Sequence, residues 1–310
     1  MAITVEAESA RRAFLDRFSR RSSVLRELVR RPTGLAGLSI VVLALLVALL
    51  APVIAPHDPN AINLTQRFQG PSLRHLLGTD ELGRDVFSRV LFGTRIAIEI
   101  AVPAVVMAFV VGIFVGMTAG YASGWLDKLL VVVLDTLLSF PALILALALL
   151  TLLGASLLNT TIVIALAFAP YYGRLARAQA LAVKQNTYVK AERALGAGRL
   201  RIISVHLLPN IIPPLVILMS MDVPGAIGTE AGLAFLGLGV QPPTPDWGVM
   251  MSDGFINLGV SPWALLAPLM AIVVVTASFT MLGETLRDIA DPRLKGALVR
   301  RGRLRSWRLR

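Results

Sequence analysis

The sequence has no cysteine, and only 16% of its 310 residues are charged, against roughly 25% in typical soluble domains. The absence of cysteine excludes disulfides, thiolate catalysis and metal sites with cysteine ligands. The sequence also lacks the GxxxxGK(S/T) loop of nucleotide-binding proteins and the HExxH and GxSxG motifs of hydrolases. We therefore expect no nucleotide site, no bound cofactor and no catalytic centre, and we do not interpret the chain as an enzyme by itself.

Histidine is scarce as well, with three residues at His57, His75 and His206. They are scattered along the chain and follow no metal-ligand spacing. His57 next to Asp58 is a conceivable metal ligand, but a solvated pair in a loop is the favoured interpretation. We predict no metal site.

Long apolar stretches dominate what is present. Hydrophobic residues make up 55% of the chain and the mean hydropathy is +0.72, which is too apolar for a soluble domain. A helix that crosses a bilayer needs about 20 apolar residues. Six stretches meet that length, and we predict membrane spans at 34–55, 96–120, 129–153, 156–175, 211–238 and 262–284.

Several prolines lie inside these predicted spans. Pro141 falls in the third span, and Pro213, Pro214 and Pro224 fall in the fifth. Membrane helices tolerate proline where neighbouring groups satisfy the freed carbonyls. The prediction therefore keeps both stretches as membrane spans.

The basic residues are distributed unevenly around the spans. Of the 30 Lys and Arg residues, 25 lie in segment 1–33, near 121–128, in loop 174–210 and in the tail from 287, whereas 5 lie in segment 56–95. The positive-inside rule then places both termini in the cytoplasm, which requires an even number of spans. Orientation and anionic lipid headgroups explain the net charge of +11 better than nucleic acid binding does.

Three segments outside the spans have predicted features of their own. Residues 1–33 form a cytoplasmic basic segment, either an amphipathic helix on the membrane surface or a disordered tail. Residues 56–95 form an extracytoplasmic loop with a short helix, for which Thr79 or Asp80 is the expected cap. Residues 287–310 form a cytoplasmic basic tail.

Acidic residues inside apolar spans are costly and usually face a bundle interior or a water-filled cavity. Glu99 and Asp135 are interpreted as having a buried partner or as lying at a helix end. Asp222 and Glu230 share the fifth span with Pro224, and broken, polar helices often line transport pathways. We predict these two carboxylates as candidates for a translocation path, with a purely structural role as the open alternative.

The core region, 96–286, includes the inner loop 176–210, which is predicted as two short helical pieces around Gly196 and Gly198. From residue 187 to residue 210 the loop reads TYVKAERALGAGRLRIISVHLLPN. This stretch resembles the loop signature of bacterial ABC importer permeases, which is EAA, three residues, Gly, nine residues and Ile-x-Leu-Pro. Four residues match at the family spacing, namely Ala191, Gly196, Leu208 and Pro209. Three depart from the pattern: Lys190 stands where Glu is frequent, Glu192 where Ala is frequent, and His206 where Ile is frequent.

Three further stretches are similar to the C-type permease subunit of the dipeptide and oligopeptide subgroup. They are HLLGTDELGRDVFSRVLFGTRIAI at 75–98, EAGLAFLGLGVQPPTPDWG at 230–248 and LRDIADPRLKG at 286–296. The resemblance covers nearly the whole chain in the correct order. It implies an all-α membrane protein with six transmembrane helices in the MetI-like fold of type I ABC importer permeases.

The resemblance also implies a role for the inner loop. In the family this loop is the coupling helix that docks on the ATPase, because a permease that cannot hydrolyse ATP must receive force from a partner. Gly196 permits a tight turn or a close backbone approach, and Pro209 is expected to end the loop where the next span begins. The residues implied in coupling are Ala191, Glu192, Arg193, Ala194, Leu195 and Gly196, together with Leu208 and Pro209.

The implied assembly contains a homologous second permease, two cytoplasmic ATPase domains that bind ATP and Mg, and an extracytoplasmic solute-binding protein. It would lie among the lipids of the bacterial cytoplasmic membrane and import short peptides by alternating access. One alternative is the same architecture carrying nickel, glutathione or another small solute. Less favoured are a secondary transporter driven through the intramembrane carboxylates and a membrane scaffold without transport.

Overall fold

A computed structural model describes residues 25–122 and 124–290, so most of the predicted N-terminal segment and of the basic tail lie outside the described residues. The predicted all-α class is confirmed for the described residues. Residues 25–30 form a helical turn, and a 3₁₀ turn covers Leu64–Gln66. The main helices are α1 Pro32–Ile54, α2 Val86–Ala122, α3 Trp125–Leu138, α4 Ala142–Leu153, α5 Leu157–Lys184, α6 Thr187–Ala194, α7 Arg199–Phe235, α8 Trp247–Ile256 and α9 Pro262–Ala290.

Four of these helices are long and apolar enough to cross a membrane: α1, α2, α7 and α9. The pair α3 and α4 becomes a fifth candidate if its two pieces form one span. Helix α5 has 28 residues, but it is not among these candidates. The described part of the chain therefore contains four or five candidate spans, and the predicted number of six is not confirmed by length and composition.

Helix α2 differs from its prediction, because the short outer helix expected within 56–95 is the first part of this long helix. The helix begins at Val86, and the side chain of Asp85 caps it by accepting a hydrogen bond from the Ser88 amide at 2.8 Å. The cap predicted at Thr79 or Asp80 is wrong. Asp80 accepts instead from the Arg84 amide at 2.9 Å, inside the loop that precedes the helix.

Pro141 divides the third predicted span, 129–153, into two helices. Helix α3 ends at Leu138, Pro141 is extended with ψ at 131°, and α4 continues at an angle of 94°. A proline disfavours the helical conformation of the residue before it, which explains the break. The three prolines predicted inside the fifth span do lie within α7, which remains one continuous helix.

Helices α2 and α5 form the closest helix pair. Gly112, Gly116 and Gly120 repeat at four-residue intervals on α2 and face α5. A Cβ atom at Gly116 would overlap the carbonyl group of Gly173, and one at Gly120 would lie 2.8 Å from the Cβ of Ala180. Small residues let two membrane helices approach to backbone contact, where dispersion forces are strongest.

The beginning of α1 contacts the end of α9. Arg31, just before α1, donates to Asp288 near the end of α9 at 3.4 Å. The hydroxyls of Thr33 and Thr285 lie 3.3 Å apart. The start of α1 and the end of α9 therefore lie on the same side of the helix bundle.

Candidate functional site

The inner loop is built around helix α6 and the turn that ends it. Gly196 has a φ of +85°, in the left-handed region that glycine adopts most easily. Its amide donates to the Arg193 carbonyl at 3.1 Å, and the Ala197 amide donates to the Glu192 carbonyl at 3.0 Å. These two bonds form a Schellman motif. The predicted pair of helical pieces around Gly196 and Gly198 is thus present as α6 and the start of α7.

Helix α6 is fixed against the first turns of α7. Val189 is buried, and the rings of Tyr188 and His206 have centroids 5.6 Å apart. The Glu192 carboxylate lies 3.6 Å from the Arg201 guanidinium and 4.0 Å from His206 Nε2. Glu192 and His206 are two of the three residues that depart from the family pattern, and the structure places them in contact with each other.

The tip of the loop presents apolar side chains that have no partner within the described residues. Leu195 is 86% exposed and Leu200 is 82% exposed, one on each side of the Gly196 turn. These two leucines leave apolar surface at the tip on which another protein could pack. Ala191, Arg193 and Ala194 lie on the same short helix, so the residues predicted for coupling are grouped by the structure.

The same loop contacts the inner end of α2. The Arg193 guanidinium lies 5.7 Å from the ring centroid of Tyr121, and the Lys184 ammonium lies 5.6 Å from it. Lys184 also donates to the Tyr121 carbonyl at 2.9 Å. With Arg199 these residues line a basic cavity of about 500 Å³. The C-terminal ends of α2 and α5 and the loop therefore form one cluster.

The second half of the predicted loop signature is arranged differently from its prediction. Pro209 was expected to mark the end of the loop, but the helix already starts at Arg199 and passes through Leu208 and Pro209. A π-helical turn, Ile202–Leu207, comes directly before Leu208. Proline has no amide hydrogen to donate and its ring crowds the preceding turn, so a locally widened helix next to Pro209 is physically reasonable.

The intramembrane carboxylates have different surroundings. Asp222 on α7 is partly exposed and accepts a hydrogen bond from the Tyr172 hydroxyl on α5 at 2.6 Å. Glu230, also on α7, is only 1% exposed and so lies in the core and not on a surface. Glu99 accepts from Arg95 at 2.8 Å and Asp135 lies 3.7 Å from Arg174. Both carboxylates thus have charged partners, but the two pairs are exposed in this chain and not buried as one form of the interpretation expected.

At the opposite end of α2, a network of charged residues stabilises the loop predicted over residues 56–95, which we call the outer segment. Arg84 donates to Asp80 at 2.6 Å and to Glu81 at 2.7 Å, and the buried Arg89 donates to the Pro59 carbonyl at 3.1 Å. Burial, with the nearby Asp80 carboxylate as a second cause, raises the pKa of Glu81. Burial also raises the pKa of Asp253 on α8.

Two of the three histidines meet in this outer segment, which the sequence did not indicate. His75 Nδ1 lies 2.9 Å from Asp85 Oδ1, His57 Nδ1 lies 3.7 Å from Asp85 Oδ2, and the two rings stack with centroids 4.8 Å apart. Asp58, the neighbour considered for His57, accepts instead from the Asn60 amide. The loop brings these residues together across a long stretch of chain, so no short spacing motif could reveal them.

Comparison with known proteins agrees with this architecture. Residues 112–296 match the family described as binding-protein-dependent transport system inner membrane component. Residues 19–71 match the N-terminal TM domain of oligopeptide transport permease C. A solved structure of the MetNI methionine ABC transporter in inward facing conformations has a chain with a TM-score of 0.53 and 18% identity, covering 66% of this chain and 97% of that one.

Three relatives have higher identity over most of their length. The probable D,D-dipeptide transport system permease protein DdpC of Escherichia coli K12 is 39% identical over 86% of this chain and 89% of its own. The dipeptide transport system permease protein DppC of Alkalihalophilus pseudofirmus is 37% identical over 87% and 89%. The glutathione transport system permease protein GsiD of Shigella flexneri is 39% identical over 86% and 88%.

The MetI-like helical fold, the apolar spans and the family matches agree with one another. This chain is a multi-pass protein of the inner membrane. It belongs to the inner membrane components of binding-protein-dependent transport systems, the permeases of ABC importers.

Proposed function

We propose that this permease imports short peptides by alternating access, in an assembly with a homologous second permease. Two cytoplasmic ATPase domains would bind ATP and Mg, and an extracytoplasmic solute-binding protein would deliver the substrate. The relatives are named for D,D-dipeptide, dipeptide and glutathione transport, and all of these substrates are small peptides. Glutathione is therefore the main alternative within the same architecture.

The observation that carries the proposal is the shape of the inner loop. Helix α6 presents Leu195 beside the Gly196 turn, while Val189 and Glu192 hold its other side against α7. Because α6 is held against α7 and has an apolar tip, a partner bound at the tip could displace α6 and α7 together. The implied coupling residues, Ala191 to Gly196 with Leu208 and Pro209, would then receive the motion of the ATPases.

We further propose six spans with both termini in the cytoplasm. The pairing of Arg31 with Asp288 supports an even number of crossings. Lys184 near the C-terminal end of α5 contacts Tyr121 near the C-terminal end of α2, which supports one crossing by the bent pair α3 and α4 and one by helix α5 between these two ends. Helix α5 is packed deeply among other helices, and a protein-facing helix tolerates more polar residues than a lipid-facing one.

The remaining parts of the chain fit this orientation. Segment 1–33 and tail 287–310 would be cytoplasmic and basic, in contact with lipid headgroups. The outer loop 56–95 would face the solute-binding protein. Asp222 would line the translocation path, where the hydroxyl of the buried Tyr172 orients its carboxylate. Glu230 is proposed to support the path from within the core.

Reconstitution tests the proposal. The chain would be purified with the products of its neighbouring genes and placed in vesicles containing ATP. We expect uptake of a labelled dipeptide that needs the binding protein and stops when the ATPases carry an inactivating substitution. Competition between dipeptide and glutathione would rank the two substrates. Uptake that continues without ATPases would contradict the proposal and favour a secondary transporter.

A further inference from the structure

The outer segment contains a cluster of possible metal ligands formed by His57, His75 and Asp85. One ligand atom from each residue can be chosen so that all three lie within 4.8 Å of one another. His75 and Asp85 are only 4% and 3% exposed, and the side chain of His57 is 33% exposed. Each residue comes from a different part of the loop, and Asp85 is also the cap of α2.

The hydrogen bonds around the cluster leave ligand atoms available. His57 Nδ1 and His75 Nε2 are buried and have no hydrogen-bond partner within the described residues. A buried imidazole nitrogen without a partner loses its hydration without compensation. The only ion-pair partners of Asp85 in the described part of the chain are these two histidines. A cation at the centre, bound by His57 Nδ1, would satisfy the first of these deficits.

The backbone amides of the two histidines hold them in place without using their ring nitrogens. The His57 amide donates to Ser88 Oγ at 3.2 Å, and the His75 amide donates to Ser72 Oγ at 3.1 Å. Ser88 Oγ in turn donates to Asp85 Oδ2 at 2.7 Å, which leaves Oδ1 facing His75. Outer contacts that orient the ligands are typical of metal sites in proteins.

We propose that His57, His75 and Asp85 bind a divalent transition metal, with Zn²⁺ as the best chemical fit. Two imidazole nitrogens and one carboxylate oxygen are a common zinc ligand set, and a tetrahedron with bonds of about 2.0–2.1 Å holds its ligand atoms about 3.3 Å apart. The nearest nitrogen–oxygen distances are 2.9 Å from His75 Nδ1 to Asp85 Oδ1 and 3.7 Å from His57 Nδ1 to Asp85 Oδ2. They involve different carboxylate oxygens but lie close to that separation. A water molecule would complete the fourth position.

Such a site would join the loop after α1 to the start of α2. His57 follows α1, His75 lies midway along the outer segment, and Asp85 starts α2. Because the unfolded loop offers no preformed site, the free energy of metal binding would stabilise the folded loop. The proposal concerns a resident metal at the outer surface and is independent of which solute is imported.

Metal titration of the full-length chain in nanodiscs tests the site, with an affinity tag that contains no histidine. The chain has no cysteine and only three histidines, which keeps other binding low. We expect about one Zn²⁺ per chain and, with Co²⁺ as a probe, the intense visible absorption of a four-coordinate site. His57→Gln should weaken Zn²⁺ binding by at least about 10-fold. His57 is the residue of choice because its side chain is the most exposed of the three.

His206→Gln is the matched control, because it also removes one imidazole but lies at the opposite end of the molecule, beside Glu192. This variant should bind Zn²⁺ like the parent. Gel filtration of each variant checks that the chain remains folded. Equal binding by His57→Gln and the parent, or no retained Zn²⁺ in the parent, would overturn the proposal.

Discussion

Gly196 illustrates what a single residue decides in the coupling loop. Its positive φ lets α6 end in a Schellman turn, which directs the chain into α7. The tight turn expected from the sequence is confirmed. A Cβ atom at this position would meet no atom of this chain within 4 Å, so within the chain the requirement for glycine is conformational. A left-handed conformation costs an ordinary L-residue about 1–2 kcal/mol.

We therefore expect Gly196→Val to reduce peptide uptake strongly while leaving membrane insertion intact. Gly196→Asn is the control, because asparagine adopts the left-handed conformation more readily than other residues with a side chain. It should keep most of the activity. The measurement is uptake per ATP hydrolysed in reconstituted vesicles, and unchanged uptake by the valine variant would argue against the coupling role.

Residues also show where the sequence stops being informative. The departures from the family pattern at Glu192 and His206 were visible in the sequence, but their contact was not. That contact depends on how the Gly196 turn places α6 against α7. The same holds for His57, His75 and Asp85, which meet only because the outer loop folds back on the start of α2.

At the scale of helices, hydropathy located the apolar stretches but not the helix ends. Helix α2 starts ten residues before the predicted span, and α5 continues to Lys184 beyond the predicted end at 175. Hydropathy reports the thickness of the apolar layer, whereas helices continue through polar residues as long as the backbone stays hydrogen-bonded. The break at Pro141 depends on local backbone sterics, which the same measure does not contain.

The packing of α2 on α5 leads to a prediction about the bundle. Gly116→Leu should disrupt it, because the first side-chain carbon already overlaps the carbonyl of Gly173. Overpacking of this kind costs about 1–3 kcal/mol, and more where the opposing atom belongs to the backbone. We expect a lower yield of folded protein and a lower apparent melting temperature in detergent.

Phe114→Leu is a suitable control for that experiment. Phe114 lies on the same helix, two residues from Gly116, but its side chain is 69% exposed and faces away from α5. Size-exclusion chromatography after heating would compare the two variants. If Gly116→Leu were as stable as Phe114→Leu, the close approach of α2 and α5 would not be essential to the bundle.

For the whole molecule, the absence of cysteine offers a direct test of the six-span topology. Single cysteines at Leu73 and Leu195, both highly exposed, would mark the outer loop and the coupling loop. A membrane-impermeant maleimide should label Leu73→Cys in intact spheroplasts and should label Leu195→Cys only after permeabilisation. Labelling of both positions from outside would contradict the proposed orientation.

Helix α2 connects the two faces that such an experiment distinguishes. Its 37 residues span about 55 Å, from the Asp85 cap at one end to Tyr121 beneath Arg193 at the other. Because the helix is continuous over this length, a displacement of one end can reach the other. Arrival of a loaded binding protein outside and engagement of an ATPase inside would then be thermodynamically linked, and each event would favour the other by the same factor.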